Sequence, residues 1–167
     1  MTTSDTILLL TATSTALIAG LFYGFSCAVN PGLGKLSDKG YLAAMQSINR
    51  EIQNLLFLAS FMGTLLLLPL STWLQYRAGA MYGFWSLLAA TFIYAIGVFG
   101  LTMFGNVPLN QMLDKFNLSA ASVEDMARQR ERFEKPWNRL HRIRSIAVVA
   151  SVIMVIIACL CKTDISG

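Results

Sequence analysis

Four long runs without a charged residue decide most of what this chain can fold into. They cover residues 7–29, 52–74, 78–113 and 145–161. About twenty apolar residues in a helix cross the hydrocarbon core of a bilayer. A helix also satisfies its own backbone N–H and C=O groups, which lipid cannot do. The whole chain fits this setting, with 13% of its 167 residues charged, against about a quarter in a soluble domain. The expected fold is all-α. It is a four-helix transmembrane bundle forming a single domain over 1–167, with spans near 6–30, 52–75, 82–104 and 139–161. Short interfacial helices are expected in the 1–2 and 3–4 connections. The first span is expected to stay as an anchor, because no basic residue precedes it and its run is too long for a cleaved signal.

Charge is distributed unevenly around these spans. The 1–2 connection holds Lys35, Lys39 and Arg50. The 3–4 connection and the start of the fourth span hold Lys115, Arg128, Arg130, Arg132, Lys135, Arg139, Arg142 and Arg144. The opposite side has only Arg77 and Lys162, so the division is eleven against two. The positive-inside rule therefore predicts cytoplasmic connections and both termini outside. The basic residues also suit attraction to anionic headgroups of the lipid bilayer. No recognition module accompanies them, so nucleic acid is not an expected partner. Cys27, Cys159 and Cys161 form neither a disulfide framework nor a metal motif and read as small residues within the membrane. No metal site is expected.

Local patterns predict the helix ends and contacts. Ala12, Ala16, Gly20, Gly24, Ala28 and Gly32 recur every four residues on the first helix. Such a seam suits close packing inside the bundle or a homodimer contact through the Gly20/Gly24 face. Pro31 and Gly32 are expected to end that helix. Residues 41–51 should be helical and continue into the second span, with Gln46, Asn49, Arg50 and Gln53 on one face. Asn106 suits an N-cap, with Pro108 in the first turn of a new short helix and Asn110 one turn further on. Ser122 and Asp125 have capping-box spacing, and Pro136 should kink or restart the helix they begin.

On the last helix Trp137, His141 and Arg144 share one face. Only apolar residues and two serines follow Arg144 up to Cys161. Its guanidinium must snorkel or find a partner, for which Glu51, Asn106 and Asn110 are candidates. His141 is the only histidine. It suits a hydrogen-bonded structural residue, a general base or ion-pair partner, or one axial ligand of haem b with nearby arginines on the propionates. Metalloprotease, nucleophile-elbow and P-loop motifs are absent from the sequence.

These segments resemble a known family. Gly24-Phe25 and Pro31, Met45-Gln46-Ser47-Ile48-Asn49-Arg50, Gly105-Asn106-Val107-Pro108-Leu109-Asn110, and Trp137, His141 and Arg144 occur in order along nearly the whole chain. Together they are similar to the anthrone-oxygenase-like family of small four-helix membrane proteins. Some members are described as oxygenases that convert polycyclic anthrones to anthraquinones with no dedicated cofactor. The resemblance implies a membrane oxygenase or redox protein acting on a hydrophobic, polycyclic aromatic small molecule, with no cofactor expected. On that reading His141 is the base and Arg144 stabilises the oxyanion with Asn49, Asn106 and Asn110. Trp137 stacks on the substrate ring, and Gln46 joins the substrate-binding set. The alternatives are a haem-binding membrane protein using His141 and a non-enzymatic membrane subunit.

Overall fold

In the computed structural model, which describes residues 2–161, the chain forms five helices. Lys162, counted above on the outer side, lies outside the described residues. Helix α1 is Thr3–Gly34, α3 is Leu55–Arg77, α4 is Met81–Asp114 and α5 is Val123–Leu160. All four are long and apolar enough to cross a membrane. The short α2, Asp38–Glu51, lies in the 1–2 connection. No strand occurs among the described residues. The chain is thus an all-α integral membrane protein.

The four long helices close a ring. α1 packs on α3, α3 on α4, α4 on α5, and α5 back on α1. α2 lies across one end, against α5 and the last turns of α4. Two apolar clusters follow. One fills the spans and includes Ile18, Phe61, Leu68, Tyr94, Val148 and Val155. The other holds α2 to the bundle end through Tyr41, Leu42, Met45, Leu113, Phe133 and Trp137. Hydroxyl groups inside the bundle stay satisfied by returning to their own helix. Thr15, Thr64, Thr72, Thr91 and Thr102 each donate to the carbonyl four residues back, the usual arrangement for a mid-helix hydroxyl in an apolar setting.

Several expected helix ends are corrected. Pro31 does not end α1, and Asn106 does not cap a new helix. Both segments continue as helix. The chain is π-helical at Phe25–Val29, Ile93–Gly100 and Thr102–Asn106, and the first and last of these end two residues before Pro31 and Pro108. Proline removes one ladder bond and crowds the carbonyl four residues back, yet Pro69 is carried within α3 without a π turn. Pro136 likewise lies within a continuous α5. Ser122 does form the expected capping box with Asp125. The helical part of the 3–4 connection is therefore made of extensions of α4 and α5, not of separate helices. The opposite correction applies to α2, which stops at Glu51. Asn54 then caps α3 by accepting from the Phe57 N–H.

The small-residue seam of α1 is also corrected. The buried face of α1 is Leu8, Thr11, Thr15, Ile18 and Phe22. Gly20 and Gly24 look outward, and a Cβ at either would meet nothing within 4 Å. The tight backbone contact lies elsewhere. A Cβ on Gly97 would come 2.8 Å from Ala147, and one on Gly105 would come 2.8 Å from Leu140. These two glycines let α4 approach α5 closely, as small residues do between helices in lipid. Cys27 is likewise on the outer face of α1, while Cys159 and Cys161 are half-buried.

Candidate functional site

The buried register of α5 runs Phe133, Trp137, His141, Arg144 and Val148. It passes from one apolar cluster to the other, and the polar residues lie at the junction. His141 is 2% exposed and Arg144 8%. The Trp137 and His141 rings stack at 5.1 Å with 16° between planes. Phe22 and Phe25 of α1 present their rings to His141 at 5.6 and 5.4 Å in edge-on geometry. The Arg144 guanidinium lies over the Phe22 ring at 4.6 Å and the Trp137 ring at 5.3 Å. Cation–π contact of this kind offsets part of the cost of desolvating the charge.

Arg144 finds a partner that the sequence did not suggest. Glu51 is exposed, and neither Asn106 nor Asn110 receives the guanidinium. Instead Nη1 donates to the Thr102 hydroxyl at 3.1 Å, and Nη2 lies 3.4 Å from His141 Nδ1. Nε is buried without a partner, and no carboxylate pairs with this guanidinium among the described residues. The cation is held by hydroxyl, imidazole and ring faces alone.

The asparagine segment braces Trp137. The indole N–H donates to Asn110 Oδ1 at 2.8 Å, and Asn106 Nδ2 donates to the Trp137 carbonyl at 3.4 Å. Asn106 Oδ1 remains buried and unpaired. Gln46 reaches the other end of this layer, where Nε2 donates to the carbonyls of Leu113 and Phe116 and closes the end of α4. Asn49 is 6% exposed with its Nδ2 unpaired. Arg50 pairs with the exposed Asp114.

The open space lies on the other side of His141. A groove of about 280 Å³ runs between α1 and α5, lined by Ser26, Asn30, Pro31, Asn138, His141 and Arg142. His141 Nε2 lies 3.0 Å from Ser26 Oγ at its wall. Asn138 Oδ1 is buried there without a partner. Of the catalytic and substrate-binding candidates named from the sequence, His141 alone lines this groove. Trp137 and Arg144 stand behind it, and Asn106, Asn110, Gln46 and Asn49 lie further back. Among the described residues no group of three or more His, Cys, Asp or Glu side chains converges on a metal position.

A comparison with family models matches residues 54–154 to the family described as anthrone oxygenase. The chain belongs to the anthrone oxygenase family. The match covers Thr102, Asn106, Asn110, Trp137, His141 and Arg144, which make the braced polar layer. Ser26 and Asn30, which form the α1 wall of the groove, lie outside the matched residues, as do Gln46 and Asn49. No curated protein and no solved structure matches the chain. At the level of the anthrone oxygenase family, this is an oxygenase-like membrane protein.

Sequence reasoning missed three residues that the structure brings to His141 and Arg144 or to the groove beside them: Ser26, Asn30 and Thr102. Each lies in or beside a π-helical turn. Such turns recur at functional sites. The available signal was proline inside an apolar run, Pro31 and Pro108, one on each helix that flanks His141.

Proposed function

We propose that the chain is a membrane oxygenase acting on a flat, hydrophobic, weakly acidic aromatic molecule, which occupies the α1–α5 groove and meets His141 there. The observation that carries this reading is the placement of the only histidine at the wall of a groove, with Arg144 directly behind it. An activated C–H of the substrate passes its proton to water at the open side of the groove, giving a carbanion whose charge spreads onto an oxygen of the ring system. The carbanion carbon bonds to dioxygen, and a proton completes a hydroperoxide. Loss of water leaves a ketone, so CH₂ and O₂ become C=O and H₂O. His141 meets the anionic oxygen at the groove wall. The Arg144 charge favours the anion in a setting where water cannot.

This sequence of steps needs no bound cofactor. The groove lies at the end that carries the two basic connections, and that end is proposed to be cytoplasmic, with both termini outside. The outward Gly20/Gly24 face of α1 is proposed as a homodimer contact. The decisive experiment supplies a polycyclic anthrone and oxygen to the purified protein in detergent. One O₂ should be consumed per quinone formed, with loss of about 10²-fold or more in His141→Phe, the usual cost of removing one donor to a developing oxyanion. A Soret band in the purified protein would move the assignment to haem b on His141. A colourless protein without oxygen uptake would leave a non-enzymatic subunit.

A further inference from the structure

We infer that Arg144 is a positioning residue that fixes which nitrogen of His141 carries the proton, so that the groove is met by an N–H donor and suits an aromatic ligand bearing an anionic oxygen. The hydrogen bonds determine this one by one. A guanidinium can only donate, so Nη2 beside Nδ1 requires a lone pair on Nδ1. A neutral imidazole then has its hydrogen on Nε2. The groups around Nε2 agree. Ser26 Oγ donates to the Phe22 carbonyl at 2.9 Å, and Ser145 Oγ donates to the His141 carbonyl at 2.7 Å. A hydroxyl that donates to a carbonyl can accept from Nε2–H, and the two oxygens lie 3.0 and 3.4 Å from Nε2 and 3.3 Å from each other. Thr102 anchors the other end, receiving Nη1 while its own hydrogen goes to the Val98 carbonyl.

The ligand class follows from this polarity and rests on the function proposed above. Nε2–H is directed at Ser26 Oγ on the groove wall, 3.0 Å away. Arg142 is a cation in the lining, and no carboxylate is among the lining residues. A phenolate, enolate or carboxylate on a flat ring is a stronger acceptor than the serine hydroxyl and takes over Nε2–H from Ser26. His141 then holds the anion on which oxygen acts, and proton removal does not depend on an Nε2 lone pair. The charged groups beside the imidazole are Arg144 behind it and Arg142 in the groove, both on α5. α1 contributes Ser26, Phe22 and Phe25, none of them charged.

One histidine in the chain makes the test direct. Protein labelled with ¹⁵N-histidine in maltoside detergent should show the single imidazole as the Nε2–H form. Arg144→Lys, which keeps a cationic donor, should preserve that form, and Arg144→Met should shift it towards Nδ1–H. Should Arg144→Met fail to fold alone, the same substitution combined with Thr102→Val, which removes the partner hydroxyl as well, supplies the test. An Nδ1–H form in the unaltered protein would overturn the inference, as would an unchanged tautomer in a folded Arg144→Met protein, with or without Thr102→Val. Binding is then read at Nε2 with two probes of one shape. 2-Naphthoate should bind about tenfold more tightly than 2-naphthamide, the margin of a charge-assisted over a neutral hydrogen bond. Equal affinity would overturn the ligand class. Displacement of naphthoate by phosphatidylglycerol, but not by phosphatidylcholine, would assign the groove to a lipid headgroup and overturn the aromatic ligand. Failure of oxygen uptake with the Nε2–H form intact would remove the proposed reaction alone.

Discussion

The Arg144 guanidinium donates to the Thr102 hydroxyl at 3.1 Å across the α4–α5 interface. Thr102 lies in the π-helical stretch that precedes Pro108. The irregular turn thus carries the hydroxyl that meets this buried cation. Removing it leaves Nη1 without its partner beside an Nε that already has none. Thr102→Val should destabilise the bundle by about 1–3 kcal/mol, the penalty for stranding a buried donor. Thr102→Ser, which keeps the oxygen, should lose much less. Thermal unfolding in detergent ranks the two, and equal midpoints would mean that Arg144 does not depend on this bond.

Close helix approach provides a second test. A Cβ on Gly97 would come 2.8 Å from the Ala147 Cβ, which has no rotamer to turn away, while Gly24 faces open space. Gly97→Ala should force α4 and α5 apart and cost about 1–3 kcal/mol, as overpacking does. Gly24→Leu should leave the monomer's stability unchanged. It should disrupt association if copies meet through that face. Unfolding midpoints and oligomer mass in detergent separate the two effects, and a destabilised Gly24→Leu monomer would contradict the outward placement of this seam.

The contrast between these glycines shows what the sequence could convey. Regular small-residue spacing on α1 was legible, but spacing alone does not say which neighbour a face meets. The side of α1 that turns inward is marked by Thr11, Thr15 and Phe22, not by its glycines. The four spans were legible because lipid tolerates so few charges within them. The shared face of Trp137, His141 and Arg144 was legible because helical spacing requires it. Thr102 and Ser26 were not, because each is an ordinary hydroxyl in an apolar run whose partner lies 42 or 115 residues away. The helix ends failed for a local reason. Proline in a helical run predicts a terminus, whereas this chain continues as helix through Pro31 and Pro108, each two residues after a π-helical stretch.

Topology can be tested independently of the site. The turn between α3 and α4 holds Ala78, and the 3–4 connection holds Ser119. Eleven of the chain's thirteen basic residues flank the end to which Ser119 belongs. Single cysteines at these positions, in a background lacking Cys27, Cys159 and Cys161, should react with an impermeant reagent from opposite sides. Ala78→Cys should label in intact cells and Ser119→Cys only after lysis. Labelling of position 119 in intact cells would reverse the proposed orientation.

The contact between α2 and α5 gives a last prediction, in which stability depends on pH. Tyr41 is buried against Phe133 with the Arg130 guanidinium 4.6 Å above its ring, and its hydroxyl has no partner. Burial and the nearby Glu134 carboxylate push the Tyr41 phenol well above its ordinary value, and the Arg130 charge only partly opposes them. The folded protein therefore favours the neutral phenol more than the unfolded chain does. That contribution is complete below the unfolded pKa of about 10 and is lost as pH rises above it. Tyr41→Phe keeps the ring contacts and removes the unpaired hydroxyl. At neutral pH it should be as stable as the native chain, or more stable by up to about 1 kcal/mol. Between roughly pH 9 and 11 the native chain should lose stability faster than Tyr41→Phe, because only the native chain carries this titration. Parallel pH dependences of the two unfolding midpoints would show that the phenol is ionised as readily in the bundle as in water.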